Sequence, residues 1–245
     1  TNVGSEGFGL GWFDTAEIAY NTISTVGDDP IGMHFSRNLA IHDNVMSSVD
    51  GRLFLANVKD SRIYSNRATR VASPVDGWHA GVALLYVGFE TTATNSYPAP
   101  TNLTIINNKF IYPSGSIDPG AAMYLYGIRS SYIARNRVYN YSSTLGSTVG
   151  LHLLPRPMTG TWTDPDGIDP TTVGRVHSNV IQNNSFTSGT VAVSMQMTGN
   201  CVDHVGTLGL TNNAASSLSF YCGFANLGAY QSTSGDPAAP RAARN

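Results

Sequence analysis

Short apolar runs alternate with short polar ones along the whole chain, and none sustains the 3.6-residue period of an amphipathic helix. One four-residue phrase recurs: a hydrophobic residue, two variable residues, then Asn. It reads IAYN at 18–21, IHDN at 41–44, IYSN at 63–66, IINN at 105–108, IARN at 133–136, IQNN at 181–184 and LTNN at 210–213. The hydrophobic positions are separated by 23, 22, 42, 28, 48 and 29 residues. Each long step is either one turn of the repeat with an insertion or two turns, one of them poorly written. Upstream of each phrase lies a second apolar segment. These segments read GFGLGW (7–12), IGMHFS (31–36), LFLANV (53–58), VALLYV (82–87), AMYLYG (122–127), GLHLLP (150–155) and VAVSMQM (191–197). Each unit therefore predicts a strand, a polar turn, a second strand, Asn, and a further polar turn.

Units this short leave no room for the crossover helices of a doubly wound α/β fold. A β-sandwich has regular turns but no reason to repeat one phrase seven times. The pattern predicts coils that cannot bury their own apolar side and stack on one another. Strands of successive coils would pair at about 4.8 Å. Asn would stack on Asn, its amide bonding along the stack and tolerating the left-handed conformation that bends the chain.

Composition agrees. Charged residues make up 12% of the 245 residues, about half the usual share. Gly, Ser, Thr and Asn, which loosen or compete with helical turns, fill the gap. A net charge of −2 gives no global pull toward nucleic acid or a membrane surface, and no apolar run is long enough to span one. Residue 1 is Thr and no secretory leader is visible, so a processed or excised piece is expected. Cys201 and Cys222 can form one disulfide. The coiled domain is expected over 1–230. A disordered or extended tail, QSTSGDPAAPRAARN, is expected over 231–245.

On these repeats the chain resembles the right-handed parallel β-helix superfamily. That superfamily includes pectate lyases, polygalacturonases, mannuronan epimerases and phage tailspike depolymerases. The resemblance spans about residues 5–225 and rests on the generic coil pattern. It implies an all-β, single-stranded right-handed parallel β-helix of about seven to nine coils. Loops would be inserted after the first strand of some coils. It also implies an extracellular, secreted or virion-surface setting and a polysaccharide substrate in a groove along the first-strand sheet. Family members cap the first coil with a helix, whereas here GFGLGW is already a strand. Missing coils, an additional chain over the N-terminal coil, or the homotrimer of tailspikes would protect that edge.

Candidate chemistry follows from register. Glu6, Asp29 and Asp50 fall 12, 12 and 13 residues before their coil hydrophobes, at the turn entering the first strand; Asp76 and Asp118 follow more loosely. Stacked carboxylates about 5–10 Å apart suit the acid, base or nucleophile of a glycosidase. They equally suit Ca²⁺, or the ordinary liking of Asp for turns. No other cofactor is implied. At the far end of the strand Arg37, Lys59 and Arg129 each fall four before their hydrophobe. Such cations can stabilise a uronate carboxylate during β-elimination or epimerisation. Alternation sends His34, Arg52, Phe54, Tyr86, Tyr124, Tyr126 and His152 outward if Met33, Leu55, Leu85 and Leu125 point inward. Those outward groups form a polar-aromatic stripe able to bind sugar rings, or to meet a neighbouring subunit. Residues 88–100 and 156–174 are insertions that border this face. The second carries Trp162, a sugar platform, and Asp164, Asp166 and Asp169, a poor match to a cation loop. Together these features predict a polysaccharide-degrading enzyme, a glycoside hydrolase or lyase. An epimerase and a non-catalytic adhesin or spike are the alternatives.

Overall fold

The computed structural model describes residues 7–71, 83–88, 100–113, 121–139, 149–154, 179–186, 191–195, 208–211, 218–220 and 230–232. All regular structure in it is β, with no helix among the described residues. Three sheets form, each parallel throughout. The first orders Phe8–Gly11, Ile31–His34, Leu53–Ala56, Leu85–Gly88, Ala121–Tyr126, Val149–Leu154, Val191–Met195 and Leu218–Phe220. The second orders Ala16–Ala19, Leu39–His42, Arg62–Tyr64, Thr104–Ile106, Tyr132–Ala134, Asn179–Gln182, Leu208–Thr211 and Tyr230–Ser232. The third runs through Thr22–Ser24, Val45–Val49, Arg67–Arg70, Lys109–Ile111, Arg137–Tyr139 and Ser185–Phe186. Up to Phe186 the chain visits the sheets in turn and returns to the first one strand further along. This winding is consistent with a parallel β-helix.

The register of the second sheet is the register of the repeated phrase. Ile18 pairs with Ile41, Ile41 with Ile63, Ile63 with Ile105, Ile105 with Ile133, Ile133 with Ile181, and Ile181 with Leu210. The steps of 42 and 48 residues are thus single steps of this sheet carrying insertions, since Ile63 and Ile105 are direct neighbours, as are Ile133 and Ile181. Inward residues of the three sheets, among them Met33, Leu55, Ile63, Leu85, Ile105, Phe110 and Leu125, are fully buried in one cluster. Each such aliphatic side chain contributes about 1.5–3 kcal/mol by leaving water.

The third sheet overturns one expectation. After six of the seven Asn residues the next segment is a strand of two to five residues, not only a polar turn, and the segment after Asn213 lies outside the described residues. These strands hide from a hydropathy pattern because they place one or two side chains inward, such as Ile23, Met46, Ala68, Phe110 and Val138, between polar neighbours. Tyr230–Ser232 pairs with the strand Leu208–Thr211, so two residues of the segment expected to be disordered or extended lie in a strand.

Asn holds the corner between the second and third sheets. The side-chain Nδ2 of Asn44 donates to Asn66 Oδ1 at 2.9 Å, Asn66 to Asn108 at 3.0 Å, Asn108 to Asn136 at 3.0 Å, and Asn136 to Asn184 at 3.0 Å. The same Nδ2 atoms donate backward. Asn44 reaches the Ile18 carbonyl, Asn66 that of Ile41, Asn108 that of Ile63, Asn136 that of Ile105, and Asn184 that of Ile133, all within 2.8–3.0 Å. The Ile and the Asn of the phrase are therefore the two ends of one inter-coil bond. The left-handed bend expected of this Asn belongs to the residue before it: Tyr20, Asp43, Ser65, Asn107, Arg135 and Asn183 have φ between 51° and 58°. The Asn itself must turn its amide inward to reach the next coil. Ser36, Ser61 and Ser131 mark the other corner. The Ser61 and Ser131 hydroxyls accept the Leu39 and Leu103 amides at 2.9 Å, and the Ser131 amide donates to Asn179 Oδ1 at 3.0 Å.

Asn108→Ala removes two bonds donated and two accepted by a fully buried amide. We expect a loss of about 3 kcal/mol in denaturant unfolding, because buried partners are left unsatisfied. An exposed substitution at Asn107 on the same corner should cost far less.

Candidate functional site

The candidate site is the outer face of the first sheet. Gly32 pairs with Phe54, Phe54 with Tyr86, Tyr86 with Tyr124, and Tyr124 with His152. His34 pairs with Ala56, and Ala56 with Gly88. The inward neighbours Met33, Leu55, Leu85 and Leu125 are buried, so alternation leaves His34, Phe54, Tyr86, Tyr124 and Tyr126 on the opposite face. Their rings touch in file. Centroids lie 5.2 Å apart for His34–Phe54, 5.1 Å for Phe54–Tyr86, 5.2 Å for Tyr86–Tyr126 and 5.7 Å for Tyr124–Tyr126. Phe35 extends the file from His34 to Trp12, whose ring lies 4.9 Å from its own. Trp12 and Phe35 were not singled out in the sequence. They hold the position after the first strand in two successive coils, and both have positive φ, 68° and 48°.

Arg52 stands at the centre of this file. Its guanidinium carbon lies 4.4 Å from the Phe54 ring centroid and 4.6 Å from that of Tyr86, the distances of cation–π contacts. Asp29 holds it there. Asp29 Oδ1 accepts the Arg52 backbone N–H at 2.9 Å and lies 3.4 Å from Nε. Gly88 makes room for Tyr86. A Cβ at residue 88 would come within 2.7–2.9 Å of the Tyr86 ring and hydroxyl, so only glycine lets the ring lie across that strand.

The carboxylates sit elsewhere than on that face. Asp29 is 4% exposed and Asp50 2%. Asp50 Oδ1 lies 4.0 Å from Nη2 of Arg70, whose side chain is fully buried in the third sheet. Between the two acids Gly51 is pressed against the Asp28–Asp29 backbone, where a Cβ would approach to 2.3–2.5 Å. The two aspartates thus brace the turn entering the first sheet, one through Arg52 and one through Arg70. Glu6 and Trp162 lie outside the described residues, as do Asp76, Asp118, Cys201, Cys222 and the aspartates 164, 166 and 169. His152 is described by its backbone register alone.

Arg37, Lys59 and Arg129, expected to form a cationic edge, fall in one row that Thr101 interrupts. Arg37 pairs with Lys59, Lys59 with Thr101, and Thr101 with Arg129. Lys59 and Arg129 are buried, at 8% and 2% exposed. Arg37 remains at the surface, where its Nη2 donates to Asp14 Oδ2 at 3.0 Å and its Nε to Asp14 Oδ1. That bond holds the Asp14 carboxyl below its ordinary range. Among the described residues no three His, Cys, Asp or Glu side chains converge as a metal site.

A second cluster, on the second sheet, was not anticipated. His42 lies between two carboxylates, with Nδ1 2.8 Å from Asp43 Oδ2 and Nε2 2.8 Å from Glu17 Oε1. Its ring stacks on Tyr64 with centroids 4.4 Å apart and planes 7° from parallel, and Tyr20 meets it edge-on. The hydrogen bonds to Asp43 and Glu17 raise its pKa, against the opposing effect of burial. The phrase IHDN held the His–Asp pair, but Glu17 and Tyr64 come from neighbouring coils and become visible only through register.

No family model matches the chain, and neither does any curated protein or solved structure.

Two outcomes are expected. Asp50→Ala should cost about 1–3 kcal/mol in unfolding free energy, because it removes a buried carboxylate that faces the buried Arg70 guanidinium. For His42, a folded pKa above the ordinary 6.5 means its stabilisation is complete below that pH and is lost as pH rises through the folded value. The melting-temperature gap between wild type and His42→Gln should therefore be widest in mild acid and narrow as pH rises; a pH-independent gap contradicts the assignment.

Proposed function

We propose that the protein binds an extracellular or bacterial-surface polysaccharide along the first sheet, and that this face degrades it. The fold carrying the face is taken as a right-handed parallel β-helix of about seven to nine coils. The observation that carries this reading is the file of rings from Trp12 to Tyr126 with the Arg52 guanidinium between Phe54 and Tyr86. Aromatic faces stack on the apolar faces of sugar rings, and successive coils repeat such a face at about 4.8 Å. A guanidinium fixed at that surface suits a uronate carboxylate, which it can meet through two parallel N–H bonds.

Among degradative reactions the geometry favours β-elimination, or epimerisation by the same first step, over hydrolysis. Elimination needs a cation on the substrate carboxylate and a base near the adjacent carbon. Arg52 fits the first role, and His34, whose ring touches Phe54, fits the second. Hydrolysis by a carboxylate pair fits less well, because Asp29 and Asp50 are both buried. Asp29 is better read as the residue that positions Arg52. The same burial favours a second reading, in which the face binds polymer without cutting it, as an adhesin or structural spike does. A trimer or a further chain over the Phe8–Gly11 edge is compatible with either.

The test is a screen of polyuronates, bacterial capsules and O-antigens with the full chain, reading binding and product masses. Elimination predicts unsaturated products that absorb in the ultraviolet, with no mass of water added. Arg52→Gln should weaken binding of uronate polymers about tenfold, equivalent to about 1.4 kcal/mol, and lower the melting temperature somewhat because Asp29 loses its charged neighbour, with an unchanged circular dichroism spectrum showing that the fold survives. His34→Ala should abolish product while leaving binding. Binding without product in wild type selects the adhesin reading. Binding that is indifferent to Arg52→Gln removes the first sheet from consideration.

A further inference from the structure

The third sheet carries a second row of charge that the first-sheet reading does not use. Arg67 pairs with Lys109, and Lys109 with Arg137, so three cations occupy the same outward position on consecutive strands, about 4.8 Å apart. Arg135 stands beside them at the corner with φ 55°, in line with Asn107 and Asn183, which share its left-handed conformation. Together Lys109, Arg135, Arg137, Tyr139, Asn107 and Asn183 line a groove of about 450 Å³. No carboxylate stands among the described residues that line it. Among the described residues Arg67, Lys109, Arg135 and Arg137 form no ion pair. Arg67, Arg135 and Arg137 are exposed, and Lys109 rests its Nζ 4.6 Å from the Tyr139 ring centroid.

Two physical points make this arrangement more than solvated surface. Like charges on adjacent strands repel one another, by about 1 kcal/mol per pair in water where their ends come within about 4 Å, and no carboxylate among the described lining residues offsets that. The chain is also sparing with charge: it has 14 Lys and Arg residues in all, and three of them line this groove with a fourth, Arg67, on the next strand. The flanking asparagines add neutral amide donors at the same corner.

We propose that this groove is an anion-binding site for an acidic polysaccharide, distinct from the first-sheet face. Its carboxylate or sulfate groups would meet Lys109, Arg135 and Arg137 as the polymer runs along the stack of coils, with Arg67 one coil further on. Polysaccharide is favoured over single-stranded nucleic acid because Tyr139, the one ring among the described lining residues, already carries the Lys109 ammonium and so is not an open platform for bases.

The experiment uses the full chain and four labelled probes: polygalacturonate, dextran sulfate, neutral dextran and a short single-stranded DNA. Binding is measured in the Arg52→Gln background, so that the first-sheet face is already weakened. We expect the two acidic glycans to bind, neutral dextran not to bind, and affinity to fall as salt rises through about 0.15 M. Adding Lys109→Gln, Arg135→Gln and Arg137→Gln together should weaken glycan binding a further tenfold or so at an unchanged melting temperature. The three side chains lie on the surface, so folding should survive; an unchanged circular dichroism spectrum checks this. Equal glycan affinity with and without the triple substitution overturns the site, as does preference for DNA over both acidic glycans. Loss of all glycan binding on Arg52→Gln alone also overturns it, while leaving the first-sheet proposal standing.

Discussion

Everything in this molecule depends on the side-chain amide of one residue type reaching two coils at once. An Asn whose Nδ2 donates backward to an Ile carbonyl and forward to the next Asn Oδ1 ties three turns of chain together at a corner. The corner is the costly place for a winding chain, because strand pairing is interrupted there and backbone polar groups lose their partners. Here the backbone N–H of each Asn is also accepted by the next Oδ1, at 3.1 Å for Asn66 and for Asn108. The amide thus continues in side-chain form the ladder that the sheets make with backbone. In a buried site such bonds polarise one another, and each omission leaves several groups unsatisfied.

That constraint explains which parts of the architecture were legible in the sequence. Ile41 and Asn44 recur at fixed separation because they are the acceptor and donor of bonds to neighbouring coils, so the phrase reports register directly. It stayed readable across the long steps, since Ile105 needs Ile63 beneath it whatever is inserted between. The third sheet was not legible, because strands such as Arg67–Arg70 bury side chains as small as Ala68 and show polar neighbours. The left-handed corner residue was assigned one position late. Tyr20 and Arg135 occupy it, and neither residue type advertises that conformation.

The site was legible in a different proportion. Alternation alone placed His34, Arg52, Phe54, Tyr86, Tyr124 and Tyr126 on one face, since a period of two leaves no other choice once Met33 and Leu55 are inside. At the acidic turn the sequence left open which way the carboxylates face. Spacing locates a backbone, but burial decides whether a carboxylate meets solvent or a neighbouring coil. Asp29 and Asp50 stack near the right turn and face into it, toward Arg52 and Arg70. Nothing in a linear sequence distinguishes those two directions at a turn.

The solenoid principle also accounts for how three faces come to differ. Inward positions are fixed by the shared core, so the outward row of each sheet is free to repeat any chemistry coil after coil. The first sheet repeats rings, with one guanidinium stacked among them. The second carries an imidazole clamped by carboxylates from its own and the preceding coil. The third repeats cations. Repetition at one rung spacing turns a single side-chain choice into a linear surface, and a linear surface is matched by a linear ligand. A compact small molecule would use one rung and leave the rest unexplained. A polymer would use all of them, which is why the proposals for the first and third sheets name the same kind of partner while differing in the part of it they would hold.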